Sequence, residues 1–250
     1  MAVFLKQEPL TRALPKPQAL LFDLDGTLMD TAPDFFPTVN TLRKEHHLPA
    51  LPDNLIRQQV SNGGRALTRL ALDMPQIEEN TIGDKDVDPL FFEKQRQKLL
   101  DLYVTYLASK SDLFPGMIEL LNTCKKNDIP WGIVTNKPRL YTEILLQRLA
   151  VRLPILTQCA IVICPDDVER TKPFPDPLYL AAEKLKIDAK NCWYLGDHIR
   201  DIEAGKAANM LTIATLYGYI EPHDKPEDWK ADIMVDTVEE ITRFLKDSFS

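Results

Sequence analysis

Hydrophobic positions along this chain form short continuous runs that alternate with longer stretches of helical spacing. The short runs, rich in β-branched and aromatic residues, predict strands at 19–23, 131–135, 160–164, 192–195, 211–216 and 233–235. The stretches between and after them predict helices at 116–126, 140–149, 176–185, 200–208 and 238–246. Strands that alternate with helices favour right-handed βαβ crossovers, so the pattern predicts an α/β protein with a mostly parallel sheet.

The interval after the first predicted strand interrupts this alternation. It contains helical patterns at 34–46, 64–72 and 89–108 and no convincing buried strand. Pro33 and the Phe114-Pro115-Gly116 segment could serve as hinges on either side. We therefore predict a Rossmann-like doubly wound core (18–32 and 113–250), an inserted helical cap domain (33–112) and a mobile N-terminal tail (1–17). The alternative is that these helices pack on the core as a plain extension.

Carboxylates follow the first predicted strand. Asp23 and Asp25 stand two residues apart at its end, and Gly26 allows the sharp turn that follows. Two like charges this close require a cation between them, or else one carboxyl stays protonated. Taken alone, the pair could also be an Asx turn at a strand end.

Polar residues suited to phosphoryl transfer follow later segments of the same kind. The second strand leads into Thr135 and Asn136, Lys172 stands before a proline, and the strand at 192–195 leads into Asp197 and Asp201. Open α/β sheets place their chemistry at the carboxyl ends of strands. The sequence therefore predicts that these groups meet at one edge of the sheet.

The order of these motifs resembles the haloacid dehalogenase-like superfamily of phosphatases. Asp-x-Asp-Gly-Thr, Thr-Asn, Lys-Pro and Gly-Asp-x-x-x-Asp occur here in that order. The resemblance implies that Asp23 is the nucleophile of an aspartyl-phosphate mechanism. It also implies that Asp25 protonates the leaving oxygen and then deprotonates water. In that superfamily an insert after the first strand is a cap.

The same resemblance implies a set of ligands. Mg²⁺ would be held by the carboxylates of Asp23 and Asp197 and by the backbone carbonyl of Asp25. Phosphoryl oxygens would be held by Thr135, Asn136 and Lys172. Asp201 would orient metal-bound water or pair with Lys172, unless it is an exposed acid in the first turn of a helix. His198 either contacts substrate or is a surface histidine at a strand end.

Composition limits the remaining classes of function. The formal net charge is −7, and no Lys/Arg run tracks a phosphate backbone, so a nucleic-acid partner is not expected. No apolar run reaches transmembrane length, and the scattered cysteines favour reduced thiols, so we predict a cytoplasmic protein. Its oligomeric state stays open between monomer and homodimer. Asp25 and the lack of spans disfavour a P-type ATPase. A catalytically inactive fold used as a binding module stays open as an alternative.

The sequence indicates the type of reaction more clearly than it indicates the substrate. Residues 132–138 resemble the phosphoglycolate phosphatase-like branch, and the Ile163–Val168 and Gly218–Ile220 segments resemble bacterial phosphatases of N-acetylmuramic acid 6-phosphate. Both candidate substrates carry a carboxylate, which Arg65 could bind. Aromatic residues near Tyr219 and Trp229 could pack on a sugar, so we favour the amino-sugar phosphate over 2-phosphoglycolate.

Overall fold

A computed structural model describes residues 14–76 and 88–249. The strands are β1 (Ala19–Phe22), β2 (Met29–Asp30), β3 (Asp112–Leu113), β4 (Trp131–Val134), β5 (Ile161–Ile163), β6 (Cys192–Gly196), β7 (Leu211–Thr215) and β8 (Ile233–Val235). The α-helices are α1 (Ala32–Glu45), α2 (Asp53–Gln58), α3 (Gly63–Ala71), α4 (Pro89–Tyr106), α5 (Met117–Lys126), α6 (Arg139–Ala150), α7 (Asp176–Leu185), α8 (Ile199–Ala207) and α9 (Val238–Asp247). Of the predicted tail, residues 1–13 lie outside the described residues.

The main sheet of the described chain is parallel throughout, in the order β5-β4-β1-β6-β7-β8. From β1 the chain first builds one side of the sheet with β4 and β5, and then the other side with β6, β7 and β8. The strand order therefore reverses around β1. Ligands of open α/β sheets bind outside the carboxyl ends of strands at such a reversal, so this topology places the functional edge at the ends of β1, β4 and β6.

Helices cover both faces of the sheet. Leu20 and Phe22 of β1 belong to one buried apolar cluster, whereas Ala19 and Leu21 belong to another on the opposite face. Burial on both faces explains why β1 is a continuous apolar run instead of an alternating one. The predicted α/β doubly wound core is confirmed, and element bounds differ from the predicted ones by only a few residues.

An inserted region (residues 31–111) separates β2 from β3. These two strands pair antiparallel, Met29 with Leu113 and Asp30 with Asp112, and so carry the chain into and out of the insert. Within it, α1 packs against α2, α3 and α4. The ribbon and α2 were not predicted, because two-residue strands and a six-residue helix show no periodicity. The division into cap and core at 33–112 stays a prediction.

Buried Asp34 ties the two ends of the inserted region together. Its carboxylate accepts hydrogen bonds from the backbone N–H groups of Ala108 and Lys110, both at 2.7 Å. The hydroxyls of Ser109 and Ser111 donate to the same carboxylate. Pro33, predicted as a hinge, therefore lies in the first turn of a helix that is anchored at this end. No helix among the described residues is long and apolar enough to cross a membrane.

Candidate active site

The loop after β1 brings two carboxylates to the reversal point of the sheet. The backbone N–H of Asp23 donates to the carbonyl of Leu195 on β6, which fixes Asp23 between neighbouring strands. Gly26 has a φ of +88°, and a Cβ there would lie 2.0 Å from Oδ2 of Asp197. Only glycine meets both demands, since it has no Cβ and tolerates positive φ. The glycine thus lets this loop approach the β6 loop closely.

The ammonium of Lys172 joins the acidic groups of two loops. Its Nζ lies 2.6 Å from Oδ1 of Asp23 and 2.7 Å from Oδ1 of Asp201. It also donates to the carbonyl of Val134 and the hydroxyl of Tyr194. The side chain of Lys172 is only 1% exposed, so the ammonium end of both ion pairs is shielded from water. Of the two roles expected for Asp201, pairing with Lys172 is the one this geometry supports.

Asp197 is buried, and hydrogen bonds from its neighbours orient its carboxylate. Its Oδ2 accepts from the backbone N–H of Tyr219 at 2.8 Å, and its Oδ1 accepts from the hydroxyl of Thr27 at 3.3 Å. A Cβ on Gly218 would lie 2.3 Å from that of Asp197, so the loop after β7 is pressed against this carboxylate. The carboxylate is therefore held in one orientation toward Asp23.

The charges in this cluster do not balance among its own members. One carboxylate oxygen each from Asp23, Asp197 and Asp201 lies within 4.8 Å of the others, and the ammonium of Lys172 touches two of them. Burial raises the pKa of Asp23 to about 6. Burial, with the charges of Asp23 and Asp201, raises the pKa of Asp197 well above its usual value. Clustered, desolvated carboxylates with all-oxygen donors suit a hard divalent cation.

The loop after β4 supplies the predicted hydroxyl and amide. The Oγ1 of Thr135 accepts from the backbone N–H of Lys137 at 3.1 Å, which forms a tight turn at the strand end. The side-chain amide of Asn136 donates to the carbonyl of Lys172 at 2.9 Å and so ties the two loops together. Both residues line the same cavity as Asp23. Their predicted phosphate contacts stay predictions.

Asp25 has partners that sequence reasoning missed. The Nζ of Lys137 lies 2.9 Å from its Oδ1 and 3.2 Å from its Oδ2, and the hydroxyl of Thr31 donates to Oδ1. The same ammonium lies over the rings of Tyr103 and Phe35. Lys137 directly follows Thr135-Asn136, and that adjacency is the only sequence signal that could have drawn attention to it.

One cavity of about 440 Å³ opens above these groups. The inserted region contributes Phe35, Tyr103 and residues 60–64 to its walls, and the core contributes the acidic cluster and α6. The structure brings together, in the lining of this cavity, the predicted residues Asp23, Asp25, Thr135, Asn136, Lys172, Asp197 and Asp201.

The residues expected to contact substrate outside the core motifs lie outside the cavity lining, so their substrate contacts stay predictions. Arg65 is exposed and lies over the ring of Phe92, outside the lining of the described cavity, whereas Arg96 and Arg200 are part of that lining.

Tyr219 and Trp229 are buried and also lie outside the lining. Tyr219 instead uses its hydroxyl to accept from the N–H groups at 31 and 32. The aromatic walls of the cavity come from Phe35, Tyr103 and Tyr141.

His198 is a helix cap more than a surface residue. It stands at the start of α8, its Nδ1 accepts from the backbone N–H of Arg200, and its own N–H donates to Asp201. Its ring stacks near that of Trp229, and burial lowers the pKa of the imidazole to about 4. The ring lines the cavity in a neutral state at ordinary pH, but its backbone role in holding Asp201 is the clearer one.

Comparison with known proteins agrees with this geometry. The family model described as haloacid dehalogenase-like hydrolase matches residues 20–215, from β1 to the end of β7. The chain belongs to this family. The prediction drawn from the four motifs is therefore confirmed. The matched span includes every strand end that contributes to the cavity.

Relatives that match most of this chain are named as phosphatases. This chain is 41% identical to an N-acetylmuramic acid 6-phosphate phosphatase of Pseudomonas putida over 91% of its length and 96% of that protein. It is 36% identical to a phosphoglycolate phosphatase of Xanthomonas campestris over 88% and 92%. A crystal structure described as a predicted phosphoglycolate phosphatase from Haemophilus somnus matches with a TM-score of 0.74 at 26% identity, covering 90% and 96%. The predicted enzyme class, a phosphoric monoester hydrolase, is confirmed.

Proposed function

We propose that this protein is a Mg²⁺-dependent phosphomonoesterase that works through an aspartyl-phosphate on Asp23. The observation that carries the proposal is the meeting of Asp23, Asp25 and Lys172 at the floor of one cavity. A carboxylate nucleophile, a second carboxyl two residues away and a buried ammonium provide the groups that stepwise phosphoryl transfer requires.

Each residue has a defined part in the two displacements. In the first, a carboxylate oxygen of Asp23 bonds to phosphorus while the ester oxygen leaves with a proton from Asp25. In the second, water attacks phosphorus, Asp25 accepts the proton of that water, and Asp23 leaves as a carboxylate. Lys172 and the Thr135–Asn136 turn stabilise the negative charge on the transferred group.

The acidic cluster is where a divalent cation fits. Asp23 and Asp197 would hold it through their carboxylates, and Asp25 through its backbone carbonyl, as the family resemblance implies. When bound, Mg²⁺ neutralises charge on the phosphoryl oxygens. Asp201, which pairs with Lys172, lies beside this site as the third carboxylate of the cluster.

We further propose N-acetylmuramic acid 6-phosphate as the substrate. The relatives in Pseudomonas putida and Pseudomonas aeruginosa that carry this name are 41% and 40% identical, against 36% for the phosphoglycolate phosphatase of Xanthomonas campestris. The cavity, of about 440 Å³, is far larger than a two-carbon acid needs.

The test is kcat/KM for both compounds at one Mg²⁺ concentration. We expect the amino-sugar phosphate to be preferred, because remote contacts can be used to stabilise the transition state. A value for 2-phosphoglycolate at least about tenfold higher, equivalent to about 1.4 kcal/mol, would reverse the substrate assignment. No hydrolysis of either compound, or of an aryl phosphate, would refute the phosphatase itself and favour a binding protein.

A further inference from the structure

A second buried lysine, Lys137, contacts a carboxylate of the cavity that Lys172 does not reach. Its side chain is 6% exposed, and its Nζ reaches both carboxylate oxygens of Asp25, at 2.9 and 3.2 Å. Lys172 instead contacts Asp23 and Asp201. Asp23 and Asp25 thus each pair with a different lysine. The mechanism proposed above gives a role to Lys172 but none to Lys137.

The position of Lys137 is fixed at both ends. Its backbone N–H donates to Oγ1 of Thr135, and its carbonyl accepts from the hydroxyl of Thr142 at 3.2 Å. Its Nζ lies 4.9 Å from the ring centre of Tyr103 and 5.4 Å from that of Phe35. Cation–π contact with two rings restricts where the ammonium can sit. A charge held this way can in turn orient the carboxylate beside it.

The contacts on Asp25 leave it little freedom. Lys137 binds both oxygens, and the hydroxyl of Thr31 donates to Oδ1. The side chain of Asp25 is nonetheless 14% exposed and lines the cavity, so it can meet a ligand. Proton transfer requires a carboxyl oxygen within hydrogen-bond reach of the leaving oxygen or of the attacking water. Because Lys137 and Thr31 both hold the carboxylate of Asp25, its side chain stays in one rotamer and can meet that requirement.

We propose that Lys137 is a positioning residue that aims the carboxyl of Asp25 at the reacting oxygen. The inference rests on the phosphatase function proposed above. The rings that enclose the ammonium come from α1 and α4, and they stack on each other with centres 4.0 Å apart. Asp25 is therefore aimed from the inserted region as well as from the core. The position of the insert and the geometry of proton transfer are linked through Lys137.

Replacement of Lys137 should slow one displacement more than the other. 4-Nitrophenolate leaves without a proton, so formation of the aspartyl-phosphate from 4-nitrophenyl phosphate does not require Asp25 as an acid. Attack by water does require Asp25 as a base. If the carboxyl of Asp25 is no longer held in position, only the second displacement of this substrate should slow. The expected loss is about 100-fold, the size typical of a small misplacement of a reacting group. The intermediate should then accumulate.

The experiment is rapid mixing of full-length Lys137→Met with 4-nitrophenyl phosphate and Mg²⁺. We expect a burst of nitrophenolate, about one per active site, followed by a steady state about 100-fold slower than wild type. kcat and KM should fall together, because kcat/KM reports the unaffected first displacement. Aryl phosphates with other good leaving groups should share the same low kcat. Lys137→Arg, which keeps the charge, should recover part of the rate.

Other outcomes are distinguishable. A raised KM with lower kcat/KM and no burst would mean that Lys137 binds the phosphoryl group directly, and would overturn the proposal. An arginine variant no faster than Lys137→Met would also contradict it. The burst counts folded active sites, and Lys137→Gln replaces the Met variant if that one does not fold. Exposed Lys126→Met is the matched control. An inactive wild type would refute the proposed function, whereas an active wild type without a burst in the variant refutes only this inference.

Discussion

The side-chain amide of Asn62 donates a hydrogen bond to Oε1 of Glu221 at 2.6 Å. Asn62 precedes α3 in the inserted region, and Glu221 follows β7 in the core. The amide of Gln59 donates to the other oxygen of the same carboxylate at 3.0 Å. These contacts join the insert to the core beside the cavity, at the point where Ser61, Asn62 and Gly63 form its wall.

This junction predicts an effect on closure. Glu221→Ala removes the acceptor of both amides, so we expect the insert to sample open arrangements more often and kcat/KM to fall by about tenfold. Small-angle scattering should show a larger radius of gyration for the variant, and a bound phosphate analogue should reduce the difference. Exposed Glu227→Ala is the matched control. Unchanged scattering together with unchanged kcat/KM would show that the junction does not hold the insert in place.

Replacement of Asp34 should lower the stability of the fold. Asp34→Ala removes a fully buried carboxylate and leaves the N–H groups of Ala108 and Lys110 without their acceptor. We expect the free energy of unfolding in urea to fall by about 3 kcal/mol, because buried donors lose charge-assisted hydrogen bonds. Exposed Asp247→Ala should change it by less than about 0.5 kcal/mol. Equal effects of the two substitutions would contradict the anchoring role of Asp34.

Replacement of Asp197 should weaken the binding of Mg²⁺. Asp197→Asn removes one charge from the acidic cluster and keeps one acceptor oxygen for the backbone N–H of Tyr219, so the fold should survive. Calorimetric titration should show Mg²⁺ binding at least about tenfold weaker than in wild type. In the wild type, chelation should abolish phosphatase activity, and added Mg²⁺ should restore it. Exposed Asp228→Asn serves as the control. Full activity after chelation would remove the cation from the mechanism.

The core of this fold could be predicted from the sequence because the strands of the main sheet are short apolar runs, and three of them are followed by polar residues suited to catalysis. Asp23, Thr135 and Asp197 follow β1, β4 and β6, and parallel strands bring their carboxyl ends to one edge. Predicting that these residues share a cavity required only the strand assignments and their order. Lys172 could be placed by the family motif but not by periodicity, since it lies in a loop.

The walls of the cavity were not legible, because they depend on packing between segments distant in sequence. Lys137 meets Tyr103 and Phe35 only after α1 and α4 pack together. An exposed arginine and a cavity arginine look alike in sequence, so the sequence points to Arg65 and gives no signal for Arg96, which lines the cavity. Tyr219 was expected to face a sugar, but its hydroxyl serves backbone N–H groups at the start of α1.

In the proposed mechanism, Asp23 carries the phosphoryl group between the two displacements. The most direct measurement is acid quenching of the enzyme during turnover, followed by peptide mass spectrometry. We expect one added phosphoryl group on the peptide that contains Asp23, and we expect Asp23→Asn to fold but neither to turn over nor to be labelled. A phosphoryl group on another residue, or near-normal turnover by Asp23→Asn, would contradict it.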